Sequence, residues 1–87
     1  MARYEIEVSA TAEKQIRALQ RNDQVRIAQT IQSLAFQPFP RGSRKLRGYE
    51  DVFRVRVGVY RILYSVESNR VLIIILKVGQ RKDVYRR

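Results

Sequence analysis

The residues best suited to chemistry are arginines that alternate with apolar residues in the middle of the chain. Arg54 and Arg56 lie in a run that alternates apolar and basic positions from residue 52 to residue 57, and Arg61 follows Gly58 closely. The guanidinium group is planar and permanently charged, and it can bind two phosphate oxygens at once. The pattern therefore predicts a site for a phosphate-bearing ligand.

The spacing of these arginines indicates that they share one face of a β-hairpin. If Gly58 and Val59 form a two-residue type II′ turn, which takes glycine first, Arg56 pairs directly with Arg61. Directly paired residues share a face, and Arg54 lies two residues from Arg56 on the same side. Like charges opposite each other destabilise a sheet, and such conflicts tend to mark functional sites. The structural alternative is that long arginine stems cover apolar surface and extend their charges into water.

The charge of the chain is unevenly distributed and favours an anionic partner. The 87 residues carry a formal net charge of +10, and residues 41–61 hold seven basic and two acidic side chains. Residues 77–87 hold five basic and one acidic. Segregated charge costs self-repulsion, so an anionic partner is the natural interpretation. A surface made basic only for solubility is the alternative, but solubility does not require segregation.

The composition also excludes several kinds of chemistry. There is no cysteine and no histidine, which removes thiolate nucleophiles, imidazole bases and disulfides. Carboxylates alone would have to bind a transition metal, so we expect neither a metal site nor a cofactor. The longest apolar run, residues 71–76, is far shorter than the roughly 20 residues of a membrane span. These features predict a cytoplasmic protein with no membrane contact.

The first half of the chain predicts one strand and a pair of helices. Residues 3–8 alternate as a half-buried strand does, and Ser9 is placed to cap a helix that runs to about Gln20. Asp23 is expected to cap a second helix, which a pair of prolines ends. The short connection predicts an antiparallel helical hairpin.

The second half predicts strands only. Residues 44–47 are either a short strand or an extended lead-in, and residues 52–57 and 60–66 form the hairpin. Residues 70–78 are apolar on both faces, which is typical of a central strand. We therefore expect residues 1–87 to form a single small α+β domain, with an N-terminal strand and the helical hairpin packed on one face of a mostly antiparallel sheet of about four strands.

Four segments, taken in order, resemble the RelE branch of the RelE/ParE toxin superfamily. They are Lys45-Leu46-Arg47-Gly48, Arg54-Val55-Arg56, Tyr60-Arg61-Ile62-Leu63-Tyr64 and Gly79-Gln80-Arg81-Lys82-Asp83-Val84-Tyr85. Size, element order and basicity also match, so the resemblance covers essentially the whole chain. No single segment is diagnostic, but the ordered series is fairly specific.

The resemblance implies the activity of a toxin from a type II toxin–antitoxin system. RelE-type toxins are endoribonucleases that cleave mRNA in the ribosomal A site without a metal. Their site residues carry over to Arg54, Arg56, Arg61, Arg81 and Tyr85. Tyr85 is the candidate base, since nearby cations favour a phenolate, and the arginines would bind the phosphate and stabilise developing charge.

One departure from the family leaves the general acid open. The basic pair on the first strand is often Lys-x-Lys in the family, and here it is Arg54-x-Arg56. Arginine is a poor proton donor because its pKa exceeds about 12. We therefore interpret these two residues as electrostatic groups.

The resemblance also implies partners for the chain. We expect a cognate antitoxin protein, with which the toxin forms a hetero-oligomer, and a free toxin that is monomeric. The mRNA and the ribosomal RNA are the expected nucleic-acid partners. Further basic residues predicted to contact them are Arg44, Lys45, Arg47 and Lys82.

Two other functions and one further surface remain open from the sequence. The ParE branch of the superfamily inhibits DNA gyrase and is not a nuclease, and basic charge alone would suffice for a non-enzymatic RNA-binding domain. In the predicted register Leu63, Leu72 and Ile74 fall on the cationic side of the sheet. If exposed, they would form an apolar docking strip for a partner such as the antitoxin.

Overall fold

The computed structural model describes residues 3–80, and the structural statements below concern that part of the chain. It contains two α-helices and five strands, in chain order β1 (Glu5–Val8), α1 (Ala10–Arg17), α2 (Arg21–Leu34), β2 (Arg44–Lys45), β3 (Val52–Val57), β4 (Tyr60–Glu67) and β5 (Leu72–Gln80). A short 3₁₀ turn, Ser68–Arg70, joins β4 to β5.

The described strands form one sheet in the order β1-β5-β4-β3-β2. β1 runs parallel to β5, while the other neighbours are antiparallel. The predicted α+β class and the mostly antiparallel sheet are confirmed. A fifth strand is present because Arg44 and Lys45 pair with β3, which the sequence left undecided. The prediction that the apolar strand is central is also confirmed, since β5 lies between β1 and β4.

Both helices lie on one face of the sheet, and α2 supplies most of their core side chains. Ile27, Ile31 and Leu34 of α2 are buried at the helical spacing that forms one stripe. They belong to a core with the inward side chains of the sheet, which include Val55, Val57, Ile62, Tyr64, Val66, Ile73, Ile75 and Val78. Within residues 3–80, neither helix is long and apolar enough to cross a membrane.

Ser9 caps α1 as predicted and also ties the helix to a bulge in β5. Its hydroxyl oxygen accepts a hydrogen bond from the Ala12 amide at 3.0 Å and donates to the Leu76 carbonyl at 2.9 Å. The β4–β5 register shifts between Leu63 and Tyr64, which makes Leu76 the extra residue of the bulge. One side chain therefore fixes both the start of α1 and the place where β5 changes register.

The predicted cap of the second helix is wrong. Gln20, three residues before Asp23, is the N-cap of α2 and makes no side-chain capping bond. The connection is closed instead by Gln24, whose side-chain amide donates to the Leu19 carbonyl at 2.9 Å. Asp23 lies in the first turn of α2 and accepts a hydrogen bond from the Tyr60 hydroxyl at 3.0 Å. This long-range contact has no signal in the local sequence, which by itself predicts a cap at Asp23.

Candidate functional site

The hairpin register predicted from the sequence is confirmed. Arg56 pairs with Arg61, and Arg54 pairs with Leu63 across β3 and β4. Gly58 has a φ of +59°, as the first position of a type II′ turn requires. Because directly paired residues share a face, the three arginines lie together on the side of the sheet that carries no helix. We call this side the open face.

Two contacts from α2 hold the turn of this hairpin. A Cβ added at Gly58 would lie 2.9 Å from a guanidinium nitrogen of Arg26, so the turn and this side chain are in close contact. The Tyr60 hydroxyl donates to the Asp23 carboxylate at 3.0 Å. That hydrogen bond, with partial burial, raises the pKa of Tyr60 above its ordinary value. The residue next in the chain is Arg61, so both contacts lie beside a predicted site residue.

The open face contains two further cations. Arg44 of β2 pairs with Arg54, and Lys77 of β5 pairs with Leu63. Sequence reasoning missed Lys77, since strict alternation from the core residue Ile75 would turn it toward the helices. The bulge in β5 reverses this alternation. The signal in the sequence is the valine that follows Lys77, which takes the inward position.

The other predicted RNA-binding residues of β2 and the following loop do not all join this group. Lys45 pairs with Phe53, whose side chain faces the helices, so Lys45 lies on the opposite side of the sheet from Arg44. Arg47 lies in the loop after β2 and lines a shallow pocket of about 470 Å³ with Tyr49. The structure therefore brings Arg44 together with the hairpin arginines and separates Lys45 from them.

The remaining predicted site residues lie outside the described part of the chain. Arg81, Lys82 and Tyr85 follow Gln80, the last residue of β5. Gly79 pairs with Arg61 at the end of that strand. The roles of Arg81, Lys82 and Tyr85 therefore stay predictions.

The predicted apolar docking strip is wrong. Leu63 and Leu72 are only 6% and 5% exposed, and Ile74 is half-buried. Leu63 and Leu72 lie on the inner strands β4 and β5, where paired neighbours flank them on both sides. Leu63, for example, lies between Arg54 and Lys77, whose aliphatic stems can cover an apolar neighbour.

The open face is acidic at its other end. Glu5 and Glu67 pair with Leu72 from opposite sides, and Glu7 pairs with Ile74, so all three glutamates point to the open face. Within residues 3–80, no group of three or more acidic, histidine or cysteine side chains is placed to hold a metal ion. The face thus carries basic residues around β3 and acidic residues around β1.

The fold and this polarised face define the chain as a small α+β domain whose open sheet face is basic at one end and acidic at the other. The family model described as "ParE toxin of type II toxin-antitoxin system, parDE" matches residues 6–85. The chain therefore belongs to this family of type II toxin–antitoxin toxins, and its relatives are of the RelE type. The resemblance stated from the sequence is confirmed.

Relatives with RelE-type names match nearly the whole chain. Toxin RelG of Mycobacterium tuberculosis is 29% identical over 89 residues, which cover 97% of this chain and 98% of the relative. The archaeal RelE–RelB complex from Pyrococcus horikoshii contains a chain that is 30% identical, with a TM-score of 0.80 over 90% of this chain and 94% of that one. The toxin–antitoxin complex RelBE2 from Mycobacterium tuberculosis shows the same fold, with a TM-score of 0.81 and 24% identity over 92% of this chain and 100% of that one.

Proposed function

We propose that this toxin is a ribosome-dependent endoribonuclease that cleaves mRNA in the ribosomal A site. The observation that carries the proposal is the direct pairing of Arg56 with Arg61, beside Arg54, on the open face. Folding does not require three guanidinium groups at this spacing, since like charges opposite each other destabilise a sheet. A bound phosphate would offset that repulsion, because its negative charge attracts each guanidinium group.

The cleavage would follow the route by which RNA can cleave itself. The 2′-oxygen attacks the adjacent phosphorus, the bond to the 5′-oxygen breaks, and the products are a 2′,3′-cyclic phosphate and a 5′-hydroxyl. The enzyme must remove the 2′ proton, stabilise the extra negative charge and protonate the leaving oxygen. Arg61, with Arg54 and Arg56, would bind the phosphate and stabilise that charge.

The proton transfers are assigned to residues at the end of the chain. Tyr85 is the proposed base, because the sequence contains no histidine and neighbouring cations favour a phenolate. Arg81 would stabilise the developing charge or assist protonation of the leaving oxygen. We assign no residue as the general acid, since arginine seldom gives up its proton.

The same proposal includes a protein partner that restrains the toxin. Several solved structures that share this fold are complexes with RelB antitoxins. We propose that a cognate antitoxin binds this chain in the cytoplasm and forms a hetero-oligomer with it, and that the free toxin is a monomer. Ribosomal RNA and mRNA are the other proposed partners.

Adding purified toxin to ribosomes programmed with a defined mRNA tests the nuclease function. We expect new mRNA 5′ ends within the A-site codon, and we expect them to disappear with Arg61→Ala, Arg81→Ala or Tyr85→Phe. Arg21→Ala is the matched control, because Arg21 is exposed at the start of α2 on the helical side of the sheet. Cleavage that survives Arg61→Ala would show that the hairpin arginines are not the site. Unfolding of Arg61→Ala would show that this residue is structural.

Inhibition of DNA gyrase is the second candidate function. It is favoured by the family description, which names the ParE toxin. The same preparation decides between the two, since intact mRNA together with inhibited supercoiling supports the gyrase function. Intact mRNA with salt-sensitive binding and no effect on gyrase would indicate a non-enzymatic RNA-binding domain.

A further inference from the structure

We propose that a basic pocket beside the hairpin arginines binds a second RNA phosphate, next to the one that reacts. Arg41 is the arginine that lines this pocket from the loop after α2, outside the strands. The pocket has a volume of about 270 Å³ and lies between the loop after α2 and the strands β2 and β3. Its lining residues are Arg41, Gly42, Arg44, Arg54, Val55 and Arg56. The ligand class rests on the proposed function, whereas the pocket itself does not.

The lining of the pocket is suited to an anion. Four of its six residues are arginines, and none is acidic. Arg44 and Arg54 are direct partners across β2 and β3, so their side chains leave the sheet side by side. Arg56 is two strand residues from Arg54, a separation of about 6.6 Å. One group of phosphate oxygens can therefore meet several guanidinium groups, each of which offers paired donors.

The loop that carries Arg41 is anchored to the core. The buried Tyr64 donates its hydroxyl proton to the Pro38 carbonyl at 2.8 Å. The Phe39 ring packs edge-on against Phe53, with 4.9 Å between the ring centres. Arg41 follows two residues later and is exposed. Because these contacts anchor the loop backbone two or three residues before Arg41, we expect binding to order mainly the Arg41 side chain.

The charge of the open face favours this direction for an RNA strand. A strand that crosses the open face toward β1 passes Lys77 of β5 and then approaches Glu5 and Glu7, which repel phosphate. A strand that leaves toward β2 meets Arg44 and then the loop with Arg41. The proposed second site is thus on the side where the electrostatic potential attracts the next phosphate.

Oligoribonucleotides with 2′-O-methyl groups test the pocket without cleavage, because their 2′-oxygens cannot act as nucleophiles. We would measure binding of a dinucleotide, which has one phosphodiester, and of a hexanucleotide, by fluorescence anisotropy over a range of salt concentrations. Arg41→Gln should weaken hexanucleotide binding by roughly tenfold, as loss of one charge-assisted contact implies. The slope of log K against log salt should become shallower by about 0.7, the value for one single-strand phosphate. The dinucleotide has no second phosphate and should lose much less.

Arg21→Gln provides the control, since it removes the same charge from the other side of the sheet. Suppose that the wild type binds both oligonucleotides. If Arg41→Gln and Arg21→Gln then weaken binding equally, the proposed phosphate site is overturned. If the wild type binds neither, co-sedimentation with ribosomes free of mRNA replaces the assay. If only Arg41→Gln weakens co-sedimentation, the pocket binds a phosphate of ribosomal RNA. If Arg41→Gln and Arg21→Gln behave alike, the proposal is overturned. A wild type that binds through Arg41 but leaves programmed mRNA intact would refute the nuclease function and leave the pocket standing.

Discussion

At the scale of single residues, the paired arginines of the hairpin are expected to lower folding stability and, in the proposed function, to bind phosphate. Arg56 faces Arg61 directly, and Arg44 faces Arg54 one row away. Like charges in direct pairs are expected to oppose folding, while an anion on the open face would bind to both rows. Residues that conflict with the fold in this way are expected at functional sites, where stability and activity trade against each other.

Replacing Arg56 should raise the free energy of unfolding and lower the cleavage activity. Because Arg56→Gln removes one charge of the Arg56–Arg61 row, we expect the free energy of unfolding to rise by a few tenths to about 1 kcal/mol. Cleavage of programmed mRNA by the same variant should fall. Urea unfolding and the ribosome assay measure the two effects. Arg21→Gln is the control for stability, since it removes the same charge from an exposed position of α2, away from the open face. A loss of stability in Arg56→Gln would contradict the interpretation.

At the scale of elements, the hairpin is positioned by α2. Asp23 and Arg26 of the helix contact Tyr60 and Gly58 at the end of β3 and β4. The inner side chains of the hairpin are buried against the same helix, which leaves the arginines on the other side. The helix therefore contributes to the site without a residue on the open face.

The contact between α2 and the hairpin should depend on pH. Hydrogen bonding to Asp23 raises the pKa of Tyr60 above about 10, its value in the unfolded chain. A raised pKa in the folded state means that this contribution to stability is complete below about pH 10 and is lost as the pH rises through the folded pKa.

Tyr60→Phe removes the titrating hydroxyl and isolates this effect. We expect the variant to be less stable than the wild type in urea unfolding near pH 8, and the difference to shrink near pH 11. Burial also raises the pKa of Tyr64, but both proteins share that contribution, so it cancels in the comparison. A difference that is the same at both pH values would show that the hydrogen bond is not the cause.

At the scale of the whole molecule, the open face is divided between basic and acidic ends. Such a division favours binding of a polyanion at the basic end of the face and disfavours binding at the acidic end. The acidic end is formed mainly by β1, the N-terminal strand, and the basic end by residues from the middle of the chain. Only the order of the strands in the sheet places them at opposite ends.

Reversing one charge at the acidic end should weaken the preference of a polyanion for the basic end. Glu7→Lys replaces a repulsive group on the open face with an attractive one, so we expect tighter, more salt-dependent binding of a hexanucleotide. Cleavage on the ribosome should not increase, because the added binding is away from the hairpin arginines. Glu13→Lys makes the same charge change on α1, where Glu13 is exposed and pairs with Arg17. Equal gains in both variants would mean that net charge alone governs binding.

The sequence by itself determined the parts of this protein that depend on neighbours in the chain. The Gly58 turn sets the register of a two-residue hairpin, so the shared face of Arg54, Arg56 and Arg61 followed from spacing alone. The cap at Ser9 is equally local. The fold class was predictable for the same reason, since alternation and helical spacing are short-range patterns.

The tertiary structure decided what depends on distant segments. The bulge at Leu76 turns Lys77 to the open face, and it is braced by Ser9, which lies 67 residues away in the chain. Asp23 is a partner of Tyr60 because α2 crosses the hairpin turn, and Leu63 is buried because its strand is inside the sheet. A residue's local sequence specifies its strand or helix, but its face, partners and exposure are set by the elements that pack around it.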